Sequence, residues 1–249
     1  MCIRDRYVRR ELTLRDWVKQ GAISPEAAAY LWLLVEEGVS GLVVGETGSG
    51  KTTFLSSLLR LIPWDKSIIT VEDTPEISLE HRNWIQLVTR PGHGSAGEIG
   101  YADLMRDVLR MRPDYCIVGE SRGEETRILA QFIAMGRTGF ATFHAVSVQD
   151  ALRRLVSHPL SLTPEQAAMF QVIVLLRVVE GRRLVAEIAE TEAESGLVKA
   201  RSLFKLRGGR LEGGVEDSSA LARIAERRGC SMGEVLEDWR KKLRKLREP

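Results

Sequence analysis

Long apolar runs are missing from this sequence. A helix that crosses a bilayer needs about 20 consecutive apolar residues, and the longest candidates here, YLWLLV at 30–35 and VIVLL at 172–176, are core-sized. The N-terminal MCIRDRYVRR is too polar for the apolar region of a signal peptide. Cysteine is scarce: Cys2, Cys116 and Cys230 are odd in number and widely spaced, which excludes a disulfide framework and a C-x-x-C metal site. Cys116 lies in an apolar run and reads as a small buried hydrophobe, and a reducing cytoplasm fits the set. A charge excess is also absent. Thirty-six Lys and Arg against 34 Asp and Glu leave a net charge of +2, which gives no general attraction to nucleic acid. Basic loops with interleaved aromatics, the usual platform for single strands, are lacking too. No internal repeat is visible.

What is present suffices for one sizeable core, or a core with an appendage: 249 residues, 44% hydrophobic and 28% charged. YVRRELTL reads as a strand or linker entered midway, so the chain is expected to be a fragment. Thr13 and Asp16 have capping-box spacing at the head of LRDWVKQ, a short helix stopped by Gly21. Ser24 as cap, Pro25 in the first turn and Gly38 past the end frame a second helix. Then strands and helices alternate. GLVVG, SIITVED, NWIQLVTR, YCIVGE and GFATFH read as strands; KTTFLSSLLRLI up to Pro63, YADLMRDVLRMR, GEETRILAQFIAMG and SVQDALRRLVS, capped by Ser147, read as helices. PGHGSAGEIG, with four glycines in ten residues, is expected to be a mobile loop. Short strands alternating with helices imply an α/β fold with a mostly parallel sheet covered on both faces. After a short helix at Pro164 the pattern predicts a hairpin turning at Glu180–Gly181, a strand at KARSLFKL, a glycine-rich break at RGGRLEGG, and two helices.

The chemistry concentrates at the ends of the strands. GETGSGKTT is a complete Gly45-x-x-x-x-Gly50-Lys51-Thr52 loop between a strand and a helix, the Walker A pattern. Backbone N–H groups of Gly45, Glu46, Thr47, Gly48, Ser49 and Gly50, continuing into Lys51, Thr52 and Thr53, are expected to cradle a nucleoside triphosphate. Lys51 would reach the β- and γ-phosphates and Thr52 would ligate Mg²⁺. TVEDTPEI puts Glu72 and Asp73 at a strand's C-terminal end, where acids can hold Mg²⁺ through water or polarise a water. YCIVGESRG ends another strand in Gly119-Glu120. A usual Walker B strand ends in aspartate, so this acid is displaced by one residue and longer by one methylene; it suits an Mg²⁺ organiser, through water, or a water activator. TFHA ends a third strand in His144, whose imidazole can donate to a γ-phosphate.

This combination resembles the type II/type IV secretion ATPase superfamily. ISPEAAAYLWLLVE, NWIQLVTR, RPDYCIVGESRGEE and FATFHAVSVQDALRRL are similar to its archaeal branch, the archaellum and type IV pilus assembly ATPases. The resemblance runs from about Leu12 over nearly all of the chain. It implies a RecA-like P-loop core with a C-terminal β-hairpin and small helical appendage, ATP and Mg²⁺ as ligands, and a hexameric ring with nucleotide between subunits. The ring would sit on the cytoplasmic face of a polytopic membrane platform protein and drive pilin-like or secreted subunits. Lys51 and Thr52 carry over as nucleotide ligands, His144 as a γ-phosphate contact, and Glu72 and Glu120 as the water-activating and Mg²⁺-organising acids, in either order. By the same resemblance residues 1–20 are a linker remnant and helical lead-in, 21–195 the ATPase domain and 196–249 the appendage.

Two departures stand out. The family's Gly-His is Gly136-Arg137 here, and its N-terminal domain, which can supply arginines across the interface, is expected to be absent. Arg82, Arg90, Arg110 and Arg112 are the candidate arginine fingers, with Arg90 preferred because it ends a strand before the glycine-rich loop. Arg153–Leu155 reads as an exposed helix face. WRKKLRKLRE fits a solvated helix face or, less well, a lipid-binding patch. A nucleic-acid translocase and a nucleotide-gated scaffold are the competing functions.

Overall fold

The structure, a computed structural model, describes residues 12–90 and 97–248. YVRRELTL up to residue 11, Cys2, and the first six residues of PGHGSAGEIG (91–96) lie outside the described residues.

Local sequence sets the lead-in. Helix α1 (Leu14–Lys19) opens on the expected capping box, with Thr13 Oγ1 accepting the Asp16 N–H at 3.2 Å and Asp16 Oδ2 accepting the Thr13 N–H at 2.8 Å. Helix α2 (Pro25–Glu36) starts behind Ser24 and Pro25 as expected. Gly38 then turns the chain at φ 67° into the wholly buried strand β1 (Gly41–Gly45).

Alternation follows as the sequence predicts: α3 (Lys51–Leu59), β2 (Ile68–Glu72), β3 (Trp84–Val88), α4 (Tyr101–Met111), β4 (Tyr115–Ser121), α5 (Glu124–Ala134), β5 (Thr138–His144), α6 (Val148–Val156), α7 (Pro164–Ala168) and β6 (Val172–Val179). The six strands run parallel in the order β3-β2-β4-β5-β1-β6. Side chains on a strand alternate between faces, so Val43 enters one core beneath α2 and α3 while Leu42 and Val44 enter the other beneath α5 and α6. Burial on both faces is why these strands read as unbroken apolar runs. It also explains Cys116, which is buried and whose thiol pKa burial pushes up.

Beyond β6 the sheet turns antiparallel. Glu180 (φ 50°) and Gly181 (φ 75°) make the predicted hairpin turn into β7 (Arg182–Glu194). The sheet then goes further than a hairpin. β8 (Leu197–Arg207) pairs with β7, and RGGRLEGG is not a break: Gly208 and Gly209 form a tight turn into β9 (Arg210–Gly213), completing one nine-stranded sheet.

Helices α8 (Ser219–Arg228) and α9 (Met232–Arg247) fold back across α2. The basic tail is largely a solvated helix face, as expected, with Arg240, Lys241, Arg244, Lys245 and Arg247 exposed, and two of its cations also reach back to α2. Lys242 meets Glu36 at 2.5 Å, Arg247 meets Glu26, and Arg227 and Arg228 meet Glu37 at 2.8 and 2.5 Å. Lys242 and Lys245 also lie over the Trp32 ring, 5.3 and 5.8 Å from its centre. Arg153 is exposed as expected, but Leu155 faces the core. No helix among the described residues is long and apolar enough to cross a membrane.

One buried carboxylate joins α8 to the sheet. Glu190 of β7 accepts from Tyr30 Oη and Ser218 Oγ at 2.5 Å, from Ser219 N and Oγ at 2.8 and 2.7 Å, and from Ala220 N at 3.1 Å. Burial alone would raise its pKa, but the hydrogen bonds from Ser218, Tyr30, Ser219 and Ala220 outweigh it and hold the pKa low. The stabilisation is therefore complete above the ordinary glutamate pKa of about 4.3 and is lost as pH falls through the lower folded value. Glu190→Gln turns an acceptor into a donor facing donors, and is expected to cost about 1–3 kcal/mol. Urea unfolding at pH 7 measures this; an unchanged midpoint would show that the cluster holds nothing together.

Candidate nucleotide site

The C-terminal ends of the parallel strands share one edge, where open α/β sheets bind ligands. Gly45 of β1 lies level with His144 of β5 on one side and Leu176 of β6 on the other. The loop that follows fits an anion. Gly50 sits at φ 89°, a left-handed conformation that favours glycine, and hands the chain to α3 without a side-chain cap. The first-turn N–H groups of α3 thus have no capping side chain and present the positive end of the helix dipole. Ser49 Oγ is buried and has no partner among the described residues. Both features suit the phosphates that this loop pattern holds.

Lys51 Nζ rests on the Glu46 carbonyl at 3.0 Å, inside its own loop. Burial lowers its pKa and Arg122 adds to that, while Glu120 and Glu76 oppose it. Two outer elements fix the loop. Trp17 of α1 packs edge-on against Phe54 of α3 with ring centres 5.0 Å apart, and Arg183 Nε of β7 donates to the Gly48 carbonyl at 3.2 Å. Between them a cavity of about 570 Å³ opens beside Gly48 and Thr53, lined also by Leu12, Gln20 and Val178.

On the other side of α3, a cleft of about 230 Å³ is lined by Thr52, Glu72, Asp73, Thr74, Glu76, Gly119 and Glu120. Its two central acids differ. Glu72 is 1% exposed, and its carboxylate accepts the N–H groups of Glu76 and Ile77, both at 2.9 Å, and Gln86 Nε2 at 2.7 Å. Those bonds fold the acidic segment over so that Asp73, Thr74 and Glu76 are exposed. Glu120 is only partly buried, at 31% exposure, and is ion-paired with Arg122. The polar side-chain atoms of the residues that line the cleft are all oxygens, the donor set that Mg²⁺ takes alongside phosphate and water. Among the described residues no group of three or more His, Cys, Asp and Glu could hold a metal by itself.

His144 ends β5 half-buried. Arg154 of α6 donates to its carbonyl at 3.1 Å and pairs with Asp150 at 3.2 Å, while the Val146 N–H donates to Asp150 at 3.3 Å. The turn that carries the imidazole is thereby fastened to α6.

The structure thus brings Thr52, Glu72 and Glu120 into one cleft and sets His144 beside the first residue of the loop. Arg90 is elsewhere. It follows the edge strand β3, exposed, with Nε donating to Gly97 at 2.7 Å, and does not line the cleft. Arg137 sits at the opposite end of β5 from His144 and pairs with Asp114, so the Gly-His departure lies away from this edge. Sequence reasoning missed Glu76, Arg122 and Arg183. The first two stand within four residues of a named acid and were findable; Arg183 carries no local signal.

The family model described as "Type II/IV secretion system protein" matches residues 2–240. An uncharacterized protein of Methanocaldococcus jannaschii, MJ1287, is 39% identical over 93% of this chain and 89% of its own length. A putative conjugal transfer protein of Mycobacterium tuberculosis is 36% identical over 74% of this chain and 55% of its own length. Among solved structures, the VirB11 ATPase of the Brucella suis type IV secretion system, crystallised with sulphate, superposes with a TM-score of 0.57 at 26% identity, over 76% of this chain and 59% of that one. The ATPase DotB of Yersinia pseudotuberculosis shares the fold, with a TM-score of 0.51 at 18% identity over 92% of this chain and 55% of that one. The chain therefore spans little more than half of these last three relatives. The shared fold is the RecA-like α/β arrangement expected from the sequence.

Gly119 makes the packing of the two acids testable. A Cβ there would come within 2.9 Å of Glu72 Cγ and 3.5 Å of its Cβ, atoms too near the β2 backbone to swing clear. Gly119→Ala is expected to cost about 1–3 kcal/mol in chemical unfolding through overpacking. A neutral result would mean that Glu72 is not seated across β4.

Proposed function

The chain belongs to the type II/IV secretion system protein family, and we propose that it is an ATP-hydrolysing motor that works as an oligomeric ring to power protein secretion or the assembly of a type IV pilus or archaellum-like filament. The observation that carries this is the meeting of Lys51, Thr52, Glu120 and the exposed Glu76 beside the glycine-rich loop, with His144 one strand away. Family membership supports the coupling to a secretion apparatus.

The triphosphate of ATP lies on the loop, with its γ end toward the acidic cleft and its base and sugar in the cavity between Trp17 and Arg183. Lys51 offsets charge on the β- and γ-phosphates. Thr52 and, through water, Glu120 would hold Mg²⁺, which would supply electrostatic stabilisation of the developing phosphate charge. A carboxylate of the cleft accepts a proton from water, whose oxygen bonds to the γ-phosphorus. The bond from that phosphorus to the bridging oxygen breaks, and its electrons leave with ADP. Glu76 and Glu120 have the exposure this task needs. Glu72 has its lone pairs engaged, so its part is to set the turn that presents Glu76. His144 answers to the γ-phosphate, and Arg90, exposed at the sheet edge, is available to a neighbouring subunit. Residues 21–195 form the ATPase domain and 196–249 its appendage, and the ring docks peripherally on the cytoplasmic side of a polytopic membrane platform protein. Near-neutral charge speaks against nucleic acid as the cargo.

Lys51→Ala is expected to abolish binding of a fluorescent ATP analogue. Glu120→Gln should keep binding and lower kcat about 100-fold or more, the scale of a lost proton acceptor or charge organiser. Glu76→Gln should lower kcat, whereas Glu72→Gln should chiefly lower the melting temperature; His144→Ala should lower kcat more than it raises KM. Unchanged turnover in Glu120→Gln would transfer the hydrolytic site elsewhere and leave a nucleotide-gated scaffold as the better account.

A further inference from the structure

A third concavity lies on the α6 side of the acidic cleft. Its volume is about 240 Å³, and its lining includes Arg122, Phe143, Arg153, Arg154, His158 and Leu160. Phe143 and Leu160 are buried and form its floor. Charge on its walls is unbalanced. Asp150, itself buried, takes Arg153 at 2.7 Å and Arg154 at 3.2 Å, and Glu120 takes Arg122. Among the described residues those are the ion pairs of the three arginines, so two carboxylates serve three guanidinium groups beside a histidine. Each guanidinium has five N–H donors, and these pairs, with the bond from Arg154 to the His144 carbonyl, occupy only a minority of them. Arg153 and Arg122 are 76% and 71% exposed, free to re-aim what remains.

Size and chemistry narrow the ligand. Pockets for drug-sized molecules run to about 300–1,000 Å³, so this one suits a single oxyanion, which arginine forks bind through paired N–H donors. Position narrows it further. Arg122 is shared with Glu120 and Arg154 with the carbonyl of His144, so the pocket is one side chain away from both groups that flank the γ-phosphate.

We propose that this pocket is an oxyanion subsite that takes the inorganic phosphate released by hydrolysis, a step that rests on the motor function argued above. Phosphate leaving the cleft passes between Glu120 and His144 and is received by Arg153, Arg154 and Arg122. Its arrival competes with Glu120 for Arg122, and a filled pocket bars the exit of the next phosphate until it empties.

The experiment is a calorimetric titration of inorganic phosphate into the whole chain, first saturated with Mg²⁺ and ADP in a separate titration that establishes ADP binding. One phosphate site is expected beyond the ADP site. Arg153→Ala should weaken it about tenfold or more with ADP affinity unchanged, and Arg153→Lys should restore part of the loss. Phosphate should inhibit the ATPase without raising KM for ATP, and Arg153→Ala should relieve that inhibition. Absence of phosphate binding beside ADP overturns the proposal. So does phosphate affinity that is the same in Arg153→Ala, or inhibition purely competitive with ATP, either of which puts the anion in the γ position. Equal binding of acetate overturns it in favour of a carboxylate site for a partner's side chain. Failure of ADP itself to bind is a different result: it removes the nucleotide site, and the phosphate pocket with it.

Discussion

Gly45 has no room for a side chain. A Cβ there would lie 2.6 Å from the Leu176 carbonyl and 2.6 Å from Ser49 Oγ. Everything at the site depends on that closeness. β1 is held between β5 and β6 in parallel register, so the last residue of β1 is level with the last of β5, and the following loop must fold back tightly over the strand end. A wider loop would lift the N-terminus of α3 away from the sheet edge. Thr52, in the first turn of α3, would then leave the cleft that it shares with Glu72 and Glu120.

Much of this was legible in the sequence because it is local. Caps at Thr13, Ser24 and Ser147 mark helix starts by offering a side-chain oxygen to N–H groups a turn ahead, and the apolar strand runs follow from burial on both faces. The glycine-rich loop announces itself through spacing that only a phosphate cradle requires. What escaped is non-local. The basic residues of α9 read as a solvated face and most are one, but nothing local shows that Lys242 and Arg247 pair with Glu36 and Glu26 of α2, some two hundred positions earlier. RGGRLEGG looks like a break because glycines that end a strand and glycines that reverse one are the same residues; the pairing of β9 with β8 decides between them. The acids of the cleft show the same limit within eight residues: TVEDTPEI offers three acids and does not say that Glu72 turns inward to cap the segment and leaves Glu76 outside.

Electrostatics at the site are arranged around compensations that ligand binding would have to exchange. Lys51 rests on a carbonyl of its own loop, with a pKa lowered by burial, so its charge is held in an environment that lacks a full counter-anion. Glu120 is occupied by Arg122, whose own pKa that hydrogen bond raises. A phosphate chain would supply the anion that Lys51 lacks, and a released phosphate would offer Arg122 a partner besides Glu120. Ligand binding would thus exchange the hydrogen bond of Lys51 and the ion pair of Glu120, an acid that lies in the same cleft as Thr52.

The antiparallel half of the sheet gives these exchanges a mechanical reach. Arg183 grips the Gly48 carbonyl from one residue after β7 begins, while on the same strand Arg182 donates to Gln20 at 2.7 Å and the Val185 N–H donates to Ala22 at 2.8 Å. The hairpin is therefore bonded at once to the phosphate loop and to the end of α1. Farther along β7, Glu190 ties in α8, and α8 and α9 clamp α2. A shift of the N-terminal helices can leave the loop undisturbed only by breaking the Arg182 and Val185 bonds; otherwise it drags β7, and with it the carbonyl of Gly48. Nucleotide contacts and the position of the lead-in helices are for that reason one coupled quantity.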